Sequence, residues 1–204
     1  MLSPRYLNVN GFLVPGNYTA ENVLSCRTFQ ARANDVFVCS YPDCGTDYVL
    51  RIVYGILNDV ESIPEPEKVI PHLERIGSNA SERMTLKDPI RIFKTHLPAA
   101  STPFHSKAKY ICVGRNPKDT SVAHFYRTRE SVESYNFANG KWDEYFELFL
   151  AGKVDFGDYF DFFVPWFQRK DQDNVLFLTY EYLAEETRDA IFRTARFLGY
   201  DYED

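Results

Sequence analysis

Four stretches of the chain are almost continuously apolar: VFVCSY (36–41), IRIFKTH (90–96), KYICVG (109–114) and NVLFLTY (174–180). They are rich in β-branched and aromatic residues. That is the pattern of strands covered on both faces, as in a parallel sheet. Between them the period changes to that of a helix. Val49, Ile52, Val53, Ile56 and Val60 fall at helical spacing within 46–60. A helix over 117–132 opens on Pro117, a residue suited to a first turn. Trp142, Tyr145, Phe146, Phe149 and Leu150 share one face of a helix over 142–150, and Gly152 follows as a stop. Ile191, Ala195 and Leu198 mark a helix over 186–198, closed by Gly199. Strands alternating with helices predict an α/β fold, a central parallel sheet flanked by helices. The stretch 61–89 holds Pro64, Pro66, Pro71 and Pro89 and reads as irregular and polar. No repeat or linker interrupts the pattern, so residues 1–204 are expected to form one domain.

Composition narrows the classes of function. With 45% hydrophobic and 25% charged residues, the chain can build a sizeable core. A net charge of −6 argues against a broad nucleic-acid surface, so an anionic ligand needs a local cationic site. Aromatic residues reach 16%; an aromatic core accounts for most of them, and an aromatic-lined pocket is the sharper reading. Cys26, Cys39, Cys44 and Cys112 form no C-x-x-C pair, which disfavours a zinc ribbon or a dithiol redox site. No run is long enough for a signal peptide or a membrane helix, so a cytoplasmic, reducing location with no membrane partner is expected.

In open parallel sheets, ligands bind beyond the C-terminal ends of the strands. Here those ends read SYPDCGT, FKTHLP, GRNPKD and LTYEYL. The first is a turn that feeds backbone N–H groups into a helix N-terminus, a natural anion site. It lacks the G-x-x-x-x-G-K-[ST] spacing, and Asp43 and Asp47 stand in it with no lysine. The second places Lys94 and His96 at one edge, the third adds Arg115, and the fourth Tyr180 and Glu181.

Taken in order, YPDCGT, KTHLP, RNPKD, YE and FLG resemble the motifs of the cytosolic sulfotransferases. WDEYFELFLAGKVDFGDYFDFF is similar to the family's segment ahead of the YE strand, and the likeness runs from about Asn34 to Gly199. The resemblance implies a P-loop-like sulfotransferase fold. It implies transfer of a sulfuryl group from 3′-phosphoadenosine 5′-phosphosulfate (PAPS) to a hydroxyl or amine of a small, aromatic or steroid-like acceptor, without a metal. By the same resemblance His96 matches the general base, and Lys94 the cation that steadies charge on the transferring group. Arg115 matches the arginine on the nucleotide's 3′-phosphate. Gly45 and Thr46 match donors to the 5′-phosphate. Tyr48 stands where the family stacks tryptophan on adenine, and Tyr180 matches a tyrosine near that ring.

The chain also departs from the family. Asp43 stands where the family has a lysine, and Ala123 where it has a serine on the 3′-phosphate. Ser121 lies two residues earlier and, on a helix, faces elsewhere. The family's C-terminal nucleotide-binding segment, which also carries its usual dimer contact, has no counterpart in these 204 residues. These departures imply that Asp43 opposes the donor's charge. They keep open the alternative of a sulfotransferase-like binding protein that has lost donor affinity. A nucleotide kinase fits the fold but not the loop, which has no phosphate-binding lysine.

Overall fold

The computed structural model describes residues 2–58, 65–81 and 90–201. Its centre is a four-stranded parallel sheet of β3 (Asp35–Ser40), β4 (Arg91–Thr95), β5 (Lys109–Gly114) and β6 (Val175–Thr179), in the order β4-β3-β5-β6. An antiparallel hairpin of β1 (Tyr6–Val9) and β2 (Phe12–Pro15) precedes it. The helices are α1 (Ala20–Ser25), α2 (Thr46–Asn58), α3 (Pro66–Val69), α4 (Leu73–Ile76) and α5 (Pro117–Glu130), then α6 (Val132–Tyr135), α7 (Trp142–Leu150), α8 (Tyr159–Phe167), α9 (Tyr180–Glu185) and α10 (Thr187–Leu198).

The apolar runs are strands because each of their faces meets its own core. On one side Val36, Val38, Ile92, Ile111, Val113 and Leu178 pack with α2 and α10. On the other, Phe37, Phe93, Tyr110 and Cys112 pack with the aromatic faces of α7 and α8. Phe93, Phe37 and Tyr110 stack across three adjacent strands with centroids 5.3 and 5.2 Å apart. Most of the aromatic content is therefore core. Cys39 and Cys112 are register partners in β3 and β5, and all four cysteines are free and buried.

Two expectations need correction. Residues 65–81 are not irregular: they hold α3, α4 and a 3-10 turn at Gly77–Ser81. These elements are only four or five residues long, too short to show a period. The other expectation was a helix through Val132. Instead α5 stops at Glu130, Ser131 leaves helical geometry (φ −83°, ψ 63°), and α6 begins at Val132. Val60 and the prolines at 64 and 89 lie outside the described residues.

The hairpin is a further element. Asn10 and Gly11 both take positive φ (53° and 87°), as a two-residue hairpin turn requires. The Leu13 carbonyl accepts from the Phe156 N–H at 2.8 Å, which docks the hairpin beside the stretch after α7. This carries Pro15 and Tyr18 to the sheet's C-terminal edge.

Candidate active site

At that edge lies a cleft of about 370 Å³. Six of the seven residues matched to family roles in the sequence line it: Gly45, Thr46, Tyr48, Lys94, His96 and Arg115, as do Asp43, Asp47 and Ala123. They reach it from the ends of β3, β4 and β5. Tyr180 does not line the cleft. Its ring lies 4.3 Å under the Arg115 guanidinium, and a Cβ on Gly45 would meet it at 2.7 Å. Gly45 has φ +94°, a conformation that glycine adopts without strain. Loop, arginine and tyrosine thus interlock.

His96 follows β4 directly and is buried. Its Nδ1 is 2.7 Å from the Ser40 carbonyl oxygen. A carbonyl only accepts, so Nδ1 carries the proton and Nε2 keeps its lone pair. Burial first, then the neighbouring His72 and Lys94, hold the ring well below the usual histidine range. His96 is therefore neutral near pH 7 and able to take a proton.

Lys94 lies 3.2 Å from Asp47 Oδ1. Arg115 donates from Nη1 to the Asp43 carbonyl oxygen at 2.8 Å, and its buried Nε has no hydrogen-bond partner among the described residues. It does not pair with Asp119. The end of β5 is fixed around it: Asn116 caps α5, and Glu181 accepts from the Asn116 N–H at 2.8 Å. The hydroxyl of Thr46 bonds that of Ser40 at the start of α2, and Tyr48 reaches Thr187 at 2.8 Å. This end of the cleft combines a helix N-terminus, Lys94 and the Arg115 guanidinium. It fits a phosphorylated anion.

Asp43 departs from the sequence expectation. Its carboxylate does not stand unpaired in the loop. It accepts from Arg127 Nε at 2.7 Å, with its backbone at φ +64°. Arg127 also donates through Nη2 to Asp155 at 2.9 Å and through Nη1 to the Tyr135 hydroxyl. Asp155 is fully buried, with Tyr135 donating to it at 2.8 Å and His124 Nε2 2.9 Å away. Burial alone would raise the Asp155 carboxyl, yet Arg127 and His124 hold it well below the usual carboxylate range. Ala123 lines the cleft, whereas Ser121 is buried and donates to the Lys118 carbonyl. Cys44, inside the loop, is a buried thiol pushed up to about 12, mainly by burial, so it stays protonated.

Beyond His96 the cleft is walled by Tyr18, His72, Arg75, Arg127 and Phe156, none of which the strand-end motifs contain. One signal was present: Arg127 follows Ala123 by four residues and so shares its helical face. His72 and its neighbour Glu74 carry no such signal, because their segment has no period of its own.

The chain's likeness to known proteins agrees with this geometry. The sulfotransferase domain model matches residues 33–204. Human sulfotransferase 6B1 is 38% identical over 187 residues, which make up 89% of this chain and 60% of that protein. The mouse 6B1 protein is 35% identical over all of this chain and 68% of its own length. The chain thus spans about three-fifths of the human relative. Among solved structures, mouse sulfotransferase SULT7A1 complexed with PAP superposes with a TM-score of 0.78 at 29% identity, over 98% of this chain and 70% of that one. Retinol dehydratase, solved with androsterone and PAP, reaches 0.77 at 22% identity over the same shares, a likeness of fold. The chain belongs to the sulfotransferase family.

Proposed function

We propose that this protein transfers a sulfuryl group from PAPS to a hydroxyl or amine of a small acceptor. The observation that carries the reading is the meeting of Gly45, Thr46, Lys94, His96 and Arg115 in one cleft. PAPS is the co-substrate that brings the sulfuryl group. Gly45 and Thr46 offer their N–H groups to its 5′-phosphate. Arg115, held over Tyr180, takes the 3′-phosphate, and Tyr48 lies beside the adenine. The acceptor's oxygen or nitrogen bonds to sulfur as the bridging S–O bond breaks. That bond's electron pair stays on the 5′-phosphate, where Lys94 balances it. The acceptor's proton passes to His96 Nε2. Among the described residues the apolar wall near His96 is Phe156, Pro15 and the ring of Tyr18, which suits a phenol-sized acceptor.

Replacing His96 by Ala should lower turnover by roughly 10²-fold or more while the fold is kept. Unchanged turnover in a folded variant would remove His96 from the mechanism. A second reading, a binding protein without turnover, is favoured by the Lys94–Asp47 pair, which must open before Lys94 can serve a phosphate. Binding of adenosine 3′,5′-bisphosphate with no transfer to any phenol would select it.

A further inference from the structure

His72 is a histidine that neither the strand-end motifs nor the proposed transfer uses, and the fold locks it against His96. Its backbone forms a parallel bridge with Lys94, and the Pro71 carbonyl accepts from the Lys94 N–H at 2.9 Å. The His72 and His96 rings meet edge to face, with centroids 4.9 Å apart. Nδ1 of His72 lies 3.2 Å from the Tyr18 hydroxyl, and Nε2 lies 3.3 Å from Glu74 Oε2. Burial raises the Tyr18 hydroxyl well above its usual range, so it keeps its proton and can donate it to Nδ1. Nε2 faces the Glu74 carboxyl at ion-pair distance without hydrogen-bond geometry.

Glu74 is fully buried, and its other oxygen is already engaged. That oxygen accepts from the Thr95 hydroxyl at 3.0 Å and from the backbone N–H of His96 itself. A carboxylate withdrawn from water costs several kcal/mol unless its charge is met. Glu74 Oε2 and His72 Nε2 are both buried without a hydrogen-bond partner among the described residues, and they face each other at 3.3 Å, ion-pair distance. Phe156 closes the assembly, its ring stacked on His72 at 6.5 Å and edge-on to His96 at 4.9 Å.

We propose that Glu74 and His72 are positioning residues for His96: Glu74 holds the turn that carries it, and the charge on His72 sets how readily it accepts a proton. The inference rests on the reading of His96 as the base. Titratable groups face His72 from every element packed against it. They are Tyr18 from the stretch before α1, Glu74 from α4, and Lys94 and His96 from β4 and its end. Arg75 and Arg127 stand on the same cleft. A proton on His72 places a positive charge beside His96 and opposes a second one there, while Glu74 limits that opposition.

The test is an NMR titration of the His96 ring in the 204-residue chain, wild type against His72→Phe. Phenylalanine keeps the ring and the packing but cannot be charged. Removing a neighbour that can carry positive charge should raise the His96 midpoint, by about half a pH unit or more. The acid limb of the turnover profile should move up by the same amount. An unmoved or lowered midpoint would overturn the proposal. If His72→Phe does not fold, His72→Gln carries the same expectation. The ring signal needs no turnover, so the coupling is decided even if His96→Ala shows that His96 is not the base.

Discussion

Asp43 shows how far a residue can be judged outside its fold. From sequence it is an acid placed where the family keeps a lysine, and it opposes an anionic donor. In the structure that charge is met by Arg127, itself shared with Asp155 and Tyr135. The loop's acids are thus paired, Asp43 with Arg127 and Asp47 with Lys94. Asp43→Lys therefore does not restore a donor site. It sets a second cation against Arg127 and removes a charged hydrogen bond worth about 1.5–3 kcal/mol. Chemical denaturation should show a loss of that order, and titration with adenosine 3′,5′-bisphosphate should show no gain. A tenfold gain in affinity with unchanged stability would mean that the Arg127 pair is not what holds the loop.

Elements, rather than single side chains, bring the cleft together. The four strand ends were legible because buried parallel strands leave long apolar runs, and the motifs sit where those runs stop. The hairpin was not read, and the 65–81 segment was read as irregular. The hairpin's Asn10-Gly11 turn is a signal that a search for apolar runs passes over. Helices of four residues give no period to detect. That is why Tyr18 and His72, which line the cleft, and Glu74 beside them were absent from the motif reading. The interlock of Gly45, Arg115 and Tyr180 gives an element-level prediction. Gly45→Ala puts a Cβ at a φ of +94° and 2.7 Å from the Tyr180 ring. Backbone conformation alone should cost about 1–2 kcal/mol, and the displaced ring should loosen Arg115. Thermal melting and nucleotide titration should both register the change. A variant that melts like the wild type and binds as well would show that the loop does not need this close approach.

Across the whole molecule, a buried ionic network joins the loop after β3, α5, Tyr135 and the stretch after α7. Asp155 is its centre. Its carboxyl is held below the ordinary value of about 3.9, so the stability it contributes is fully present above that pH and is lost as pH falls through the folded-state value. Acid unfolding should therefore steepen below about pH 4. Arg127→Met leaves Asp155 and Asp43 without their cation and should cost about 3–5 kcal/mol at neutral pH. The variant should recover part of that loss as pH drops and the stranded carboxylates protonate. Unfolding curves from pH 7 to 3 check the sign: a variant as stable as wild type at pH 7 would mean that the network is not what ties these elements together.

The central claim is that the cleft at the sheet edge is a bisphosphate-nucleotide site. Calorimetric titration of the wild type and Arg115→Ala with adenosine 3′,5′-bisphosphate and with adenosine 5′-monophosphate tests it most directly. Arg115 is assigned to the 3′-phosphate, so the substitution should weaken bisphosphate binding by about 1.5–3 kcal/mol and monophosphate binding far less. Equal losses for the two ligands, or a wild type that binds neither, would contradict the account.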